Sequence, residues 1–363
     1  MTPADVLLEV HGLVKHFPLR RGLRQILRGE RPAVRAVDGV SFSVRRGEIV
    51  GLVGESGSGK TTTGRVLLRL EEPTSGEIVF DGQEITRLPQ AGMTRLRRRM
   101  QIVFQDPYDS MNPNMDVFGI VAEPLRIQRL AMDRHELERR VIQALEAVEL
   151  VPAEHFMRRY PKELSGGQRQ RVAIARALVL EPDFLVADEP VSMLDVSIRG
   201  GILRILHRLV RERGLALLFI THDLALARHF CDRVAVMYLG QVVELASADT
   251  LVQRPHHPYT QALMEAVLST DPRVKRIRVG LKGEIPNPAD PPAGCRLHPR
   301  CPLATDRCRT EAPQLIEYEP GHFASCHYVE RALERLAEPP VGKNNHKQFS
   351  EKNLPNPAGS DRL

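Results

Sequence analysis

The sequence predicts an α/β protein with a mainly parallel core sheet, an antiparallel β layer near its N-terminus and a small Cys-rich C-terminal extension. Three observations predict it. Short, continuously apolar runs such as "EIVGLVG" (48–54), "DFLVADEP" (183–190) and "LALLFITHD" (215–223) read as strands covered on both faces. Segments with helical spacing alternate with them, which is how a parallel sheet is connected. Beyond about residue 240 proline becomes frequent, and four of the five cysteines fall at 295, 301, 308 and 326.

The elements follow in order. "VLLEVHGLV" and "VDGVSFSV" read as strands of the antiparallel layer, separated by a basic, Gly-containing stretch (19–35) expected as a long loop or short helix. The buried run 48–54 leads into a helix from about Lys60, and "SGEIVFDGQEI" (75–85) reads as strand and turn. "QIVFQD" (101–106) is a strand entering a loop with Pro and Asn. Helices are expected over 133–150, with Asp133 as N-cap, and over 165–180. The strand at 183–190 ends at Pro190, and the amphipathic helix after it ends at Gly214. The final residues, 336–363, are polar, Pro-rich and nearly without core formers, the composition of a disordered tail.

With 363 residues, 42% hydrophobic and 26% charged, the chain has room for one large domain plus an appendage, or for two domains. No apolar run reaches eighteen residues, so no bilayer span is expected. "MTPADVLLEV" lacks the features of a secretory signal, which predicts a cytoplasmic protein. The formal charge of +6 suits acidic partners, but a run such as "RLRRRM" (95–100) reads equally as a solvated basic face. Tryptophan is absent and aromatics are 5%, which argues against a stacking platform for single-stranded nucleic acid.

"GESGSGKTT" (54–62) fits the phosphate-loop pattern G-x-x-x-x-G-K-[ST], with Gly54, Gly59, Lys60 and Thr61 at the required positions. Glycines allow the backbone N–H groups of Gly54, Glu55, Ser56, Gly57, Ser58, Gly59, Lys60, Thr61 and Thr62 to converge on phosphate oxygens. The helix that starts there adds its positive dipole end. Lys60 reaches the β- and γ-phosphates, and the Thr61 hydroxyl ligates Mg²⁺. Asp188 and Glu189 follow an apolar strand, where paired acids are costly without a cation or reacting group nearby. The first suits support of Mg²⁺ and the second suits a base toward attacking water. In "ELSGGQRQRVAIARAL" (163–178), Ser165 and Gln168 form a capping-box pattern, and Gly166 and Gly167 open a second anion-binding helix start. One triphosphate does not need two such sites in one chain; a dimer does.

On these residues the sequence closely resembles the ATP-binding cassette (ABC) family of transporter ATPases. "LSGGQ" (164–168) resembles its signature motif, "VFQDP" (103–107) its glutamine loop, "SMLD" (192–195) the loop carrying Asp195, and "ITHD" (220–223) its histidine switch. Phe17 stands where the family has an aromatic residue against adenine, commonly Tyr. The resemblance spans 6–245 with its motifs in the family's order. It implies a P-loop NTPase cassette over 1–245, with an α-helical signature subdomain at about 106–180. It also implies that two cassettes close head-to-tail around two ATP–Mg²⁺. Ser165, Gly166, Gly167 and Gln168 would then complete the phosphate cage of the opposite chain. Glu189 would polarise the attacking water and His222 contact the γ-phosphate. Gln105 would sense Mg²⁺ and relay closure to the membrane subunits.

The stretches 19–42, "FQDPYDSMNPNM" (104–115) and "HHPYTQALMEAV" (256–267) resemble the ATPases of dipeptide and oligopeptide importers, a group whose close relatives also serve nickel and some sugars. That implies two separate permease subunits, a second and non-identical ATPase, an extracytoplasmic solute-binding protein acting indirectly, and a peripheral position on the cytoplasmic face of the membrane. A non-transport cassette ATPase acting on DNA or ribosomes is the alternative of another class; the single loop motif and the lack of extended heptads speak against it, and no nucleic-acid partner is expected.

The remaining segment, 246–335, resembles the C-terminal extension of the peptide-importer ATPases, in some of which the cysteines ligate a [4Fe–4S] cluster. From the residues alone, Cys295, Cys301, Cys308 and Cys326 suit an iron–sulfur cluster, zinc, or reduced thiols in a small apolar cluster, with His298, His322 and His327 as substitute ligands. Structural zinc usually uses C-x₂₋₄-C pairs, and none is present here. Cys231 lies on an apolar pattern and reads as packing.

Overall fold

The computed structural model describes residues 5–19, 32–130, 133–268 and 280–337. Most of the basic stretch 19–35, and all of the polar tail except its first two residues, lie outside them.

The antiparallel layer is a four-stranded sheet, β2–β1–β4–β5, made of β1 (Val6–Pro18), β2 (Ala33–Arg45), β4 (Ser75–Phe80) and β5 (Gln83–Glu84). The core sheet has eight strands in the order β11–β12–β10–β9–β3–β8–β7–β6. Five of them run parallel: β9 (Arg233–Tyr238), β3 (Ile49–Val53), β8 (Ala216–Thr221), β7 (Phe184–Asp188) and β6 (Met100–Val103). Every residue of β3, β7 and β8 is buried, because both faces are covered, so these runs carry no polar alternation.

Successive residues nonetheless serve different cores. Val50, Leu52, Val186 and Leu218 face the antiparallel layer, packing with Leu8, Val10 and Phe42. Ile49, Leu185, Leu217 and Phe219 face the helices, packing with Val121, Ile174 and Ile205. Phe184 and Phe219 are fully buried, each contributing about 1.5–3 kcal/mol.

The helices between residues 106 and 180 are Val117–Ile127, Arg134–Ala147, Glu154–Met157 and Gly166–Leu178. The first, second and fourth begin at side-chain caps: Asp116 accepts from the Gly119 N–H, Asp133 from the Glu136 N–H, and Ser165 from the Gln168 N–H. The long helix Val196–Arg213 ends at Gly214 in the left-handed conformation (φ 65°), as its sequence predicts.

The core sheet continues into the C-terminal segment. β9 turns through Leu239 and Gly240, both at positive φ, into β10 (Gln241–Ser247), which pairs antiparallel with β9. β10 then pairs with β12 (His322–Ala324), and β12 with β11 (Ile316–Glu319). Residues on either side of the predicted 245/246 boundary therefore belong to one strand. Among the described residues no helix is long and apolar enough to cross a membrane.

Candidate functional site

The central strand β3 ends at Val53, and the chain turns through residues 54–59 into the helix Lys60–Leu67. Gly57 and Gly59 adopt positive φ (78° and 105°). A Cβ on Gly59 would collide with the Ala36 carbonyl, and one on Gly54 with the Met237 carbonyl, so the loop is pressed between β2 and β9. Lys60 Nζ donates to the Gly54 and Glu55 carbonyls at 2.8 and 3.0 Å. Burial lowers the Lys60 pKa, and the carboxylates of Glu189, Asp188 and Glu55 oppose that shift.

Thr61 Oγ1 donates to Asp188 Oδ1 at 3.1 Å across the junction of loop and strand β7. Burial pushes the Asp188 carboxyl above its usual range; the Thr61 hydrogen bond opposes that, and the charge of Glu189 adds to it. Glu189 is a non-glycine residue in the left-handed region (φ 46°), held by its N–H to the Ile220 carbonyl at 3.0 Å. Its Oε1 lies 3.2 Å from His222 Nδ1, and the His222 ring is 60% exposed.

These groups share a cleft of about 840 Å³ lined by Glu55, Ser56, Gly57, Gly59, Lys60, Thr61, Thr62, Gln105, Glu189 and His222. Phe17 lines its other end, with Lys15 Nζ 4.7 Å above its ring. The cleft wall holds neither the helix start at Ser165, Gly166, Gly167 and Gln168 nor Asp195. Ser165 and Gln168 instead satisfy each other's backbone N–H groups in the predicted capping box, and Asp195 precedes the helix Val196–Arg213. A second groove, lined in part by Gln105, Gly166 and Leu194, separates the glutamine loop from the signature helix.

Several cleft residues escaped sequence reasoning. Val34, Ala36, Leu263 and Pro288 line it, the last two from the C-terminal segment. The Tyr259 hydroxyl accepts the Glu55 N–H at 3.0 Å, and Arg300 lies 3.1 Å from Glu55 Oε2. Tyr259 stands 204 residues from its partner, and nothing in a local pattern signals such a contact.

The cysteines gather in a separate apolar pocket lined by Cys295, Cys301, Cys308 and Cys326 with Leu297, Leu303 and Tyr328. Burial pushes the Cys295 thiol up to about 11 and Cys326 to about 12; Cys301 is also raised. The Tyr328 N–H donates to Cys326 Sγ at 3.4 Å and opposes the Cys326 shift, whereas the His298 and Ala304 N–H groups donate to the carbonyls of Cys295 and Cys301 at 3.0 and 3.3 Å. Among the described residues the set of three metal-binding side chains with ligand atoms within 4.8 Å is His256, Glu319 and His322, and it contains no cysteine. His322 Nε2 pairs with the buried Glu244 at 2.7 Å, His298 Nδ1 with the Cys295 carbonyl at 2.9 Å, and His327 Nε2 with the Glu311 carbonyl at 3.0 Å. Cys231 is buried and its pKa raised by that burial, a packing residue as its pattern predicts.

The chain matches the ABC transporter family over residues 37–192 and the oligopeptide/dipeptide transporter C-terminal region over 243–308. It is 52% identical over 320 residues to a putative peptide import ATP-binding protein of Brucella ovis, covering 88% of this chain and 97% of that one. This chain is an ABC transporter ATPase. The cassette is also 47% identical over 326 residues to the oligopeptide transport ATP-binding protein AppF of Bacillus subtilis, covering 89% and 97% of the two chains. Among solved structures, the ABC ATPase resembles the dimeric post-hydrolysis state of the ATP-binding cassette MJ0796 bound to ADP and Pi (TM-score 0.58, 31% identity, 67% of this chain and 99% of that one). It resembles equally cbiO1 from Clostridium perfringens, part of the ABC transporter complex cbiONQ (TM-score 0.58, 28% identity, 73% and 97%). ATP is thus the nucleotide this ABC ATPase binds.

Proposed function

We propose that this ABC ATPase energises import of di- or oligopeptides through separate membrane permease subunits, by ATP-driven closure of a cassette dimer. One observation carries the reading. Similarity to peptide-import ATP-binding proteins runs over nearly their whole length, C-terminal region included, not over the cassette alone. The dimer is supported by the position of Ser165 to Gln168, which lie outside the cleft of their own chain and are free to meet a partner's nucleotide. A non-identical partner ATPase, two permeases, an extracytoplasmic binding protein acting indirectly and a peripheral position on the cytoplasmic membrane face complete the proposed assembly.

Each site residue then has a role. The loop N–H groups and Lys60 hold the phosphates, and Phe17 packs on the adenine. Thr61, Asp188 and Gln105 suit Mg²⁺: they are hard oxygen donors, and the raised Asp188 pKa is what a buried carboxylate shows before a cation compensates it. Glu189, oriented by strained backbone and adjoining His222, takes the proton of the attacking water. His222 contacts the γ-phosphate.

Cys295, Cys301, Cys308 and Cys326 would hold a [4Fe–4S] cluster, which supplies a covalent staple and a one-electron couple. The gathering of all four sulfurs in one pocket and the Tyr328 N–H donated to the Cys326 sulfur support this, since such a bond suits a thiolate. Zinc fits less well, since structural zinc usually uses C-x₂₋₄-C pairs and the spacings here are five, six and seventeen residues. Anaerobic purification with iron, sulfide and zinc analysis decides between them; a metal-free yet fully folded extension overturns both.

The transport reading is tested by reconstituting the chain with its permeases and partner ATPase in proteoliposomes. Peptide uptake that needs ATP and is abolished by Glu189→Gln is expected. An ATPase stimulated by DNA, with no affinity for membrane subunits, would overturn it.

A further inference from the structure

We propose that the C-terminal extension is a working part of the nucleotide site, with Arg300 and Tyr259 as positioning residues for the phosphate loop. The inference rests on the reading of residues 54–62 as the ATP site.

Both residues act on one peptide unit and its side chain. Tyr259, fully buried on the helix Pro258–Leu268, accepts the Glu55 N–H at 3.0 Å. The carbonyl of that same peptide, on Gly54, points the opposite way and accepts from Lys60 Nζ at 2.8 Å. The peptide plane is therefore held from both sides, and its orientation sets where the Lys60 ammonium rests. Rotating it would break the Tyr259 bond and withdraw the carbonyl from Lys60 together.

The Glu55 side chain raises a separate problem. It lines the cleft that must accept a polyanion, and an unpaired carboxylate there repels phosphate. Arg300, only 8% exposed, answers it at 3.1 Å from Glu55 Oε2. Its position is fixed by a tight turn, in which the Arg300 and Cys301 N–H groups both bond the Leu297 carbonyl at 2.9 Å. The start of that turn grips the loop's other flank. Arg296, 7% exposed, pairs with Asp38 and with the Leu239 carbonyl. The next residue, Gly240, donates its N–H to the Ser58 carbonyl at 2.8 Å. Cys295 and Cys301 directly adjoin the two arginines, so whatever fixes the cysteine pocket fixes the clamp on the loop.

The test is a double-mutant cycle on the full chain, read by titration with fluorescent MANT-ATP and by steady-state ATPase assay. Arg300→Gln should weaken MANT-ATP binding about 10-fold and Tyr259→Phe about 5-fold, with KM for ATP moving more than kcat. Adding Glu55→Gln to Arg300→Gln should recover most of the lost affinity, because the uncovered charge is gone; a purely structural Arg300 would not be rescued this way. Arg300→Lys should retain most binding, and it carries the test if Arg300→Gln fails to fold. Wild-type affinity in folded Arg300→Gln, or a double variant as weak as the single one, overturns the proposal. Lys60→Ala separates the two readings. If Lys60→Ala binds MANT-ATP like wild type, the ATP-site reading itself fails; if it loses binding while Arg300→Gln does not, only the positioning role fails.

Discussion

Glu189 shows how much chemistry one backbone angle carries. At φ 46° its carboxylate leaves the end of β7 toward His222 rather than along the strand, and the bond from its N–H to Ile220 holds it there. Glu189→Gln keeps the shape and removes the carboxylate proposed as the base. It should bind MANT-ATP normally while kcat falls at least about 100-fold, the usual weight of a positioned general base. Turnover at the wild-type rate would assign the base elsewhere. Gly59 is the counterpart in the loop. With φ 105° and the Ala36 carbonyl where a Cβ would stand, Gly59→Ala cannot be absorbed by a side-chain shift. It should cost about 1–3 kcal/mol in chemical denaturation and abolish nucleotide binding. The residue types at both positions were legible from spacing, because the phosphate-loop pattern names Gly59 and the apolar strand points at Glu189. The angles were not, since they depend on β2 and β8 pressing from outside the local sequence.

Helices behave largely as their own residues dictate. Asp133 accepts the Glu136 N–H at 2.8 Å, and Glu136 in turn pairs with Arg139 and Arg140 on the next turn. Asp133→Ala removes the cap without touching the nucleotide cleft. A loss of about 1 kcal/mol, seen as a melting point lower by about 2–4 °C, is expected. ATP hydrolysis at lower temperature should stay at the wild-type rate; a melting point unchanged within error would show that neighbouring helices, not the cap, hold this start. Strands divide into two kinds. β3, β7 and β8 were legible because five or six apolar residues in a row suit a sheet covered on both faces. β11 and β12 were not, because runs of three or four residues are too short to carry a periodicity. Only the edge of β10 calls them into being.

The molecule as a whole is held across that edge by buried polar groups. Glu244, fully buried on β10, accepts the N–H groups of His256 and His257 and pairs with His322. Burial lowers the His257 pKa from 6.5 to about 4, against the opposing pull of Glu244 and a bond to the Ser325 backbone, and lowers His256 in the same direction. Native His257 thus refuses a proton that the unfolded chain accepts between pH 6.5 and about 4. Its contribution to stability is complete above pH 6.5 and is lost as pH falls through that window, at about 1.4 kcal/mol per pH unit. Denaturant melts at pH 7.5, 6 and 5 should show this slope, and His257→Gln should flatten it. An equal slope in the variant would place the acid sensitivity in other groups.

The sequence by itself determined the nucleotide chemistry of this protein: a phosphate loop, an acid pair after a buried strand and a capped signature helix. Each is a short run whose residue types suffice to state its chemical task. Only the tertiary structure decided that the cysteine-bearing segment joins the core sheet, and that Tyr259 and Arg300 reach the phosphate loop from more than 200 residues away. Such contacts come from how the sheet edge and the turns beyond it pack, and no local spacing encodes which distant residue will meet a given peptide group.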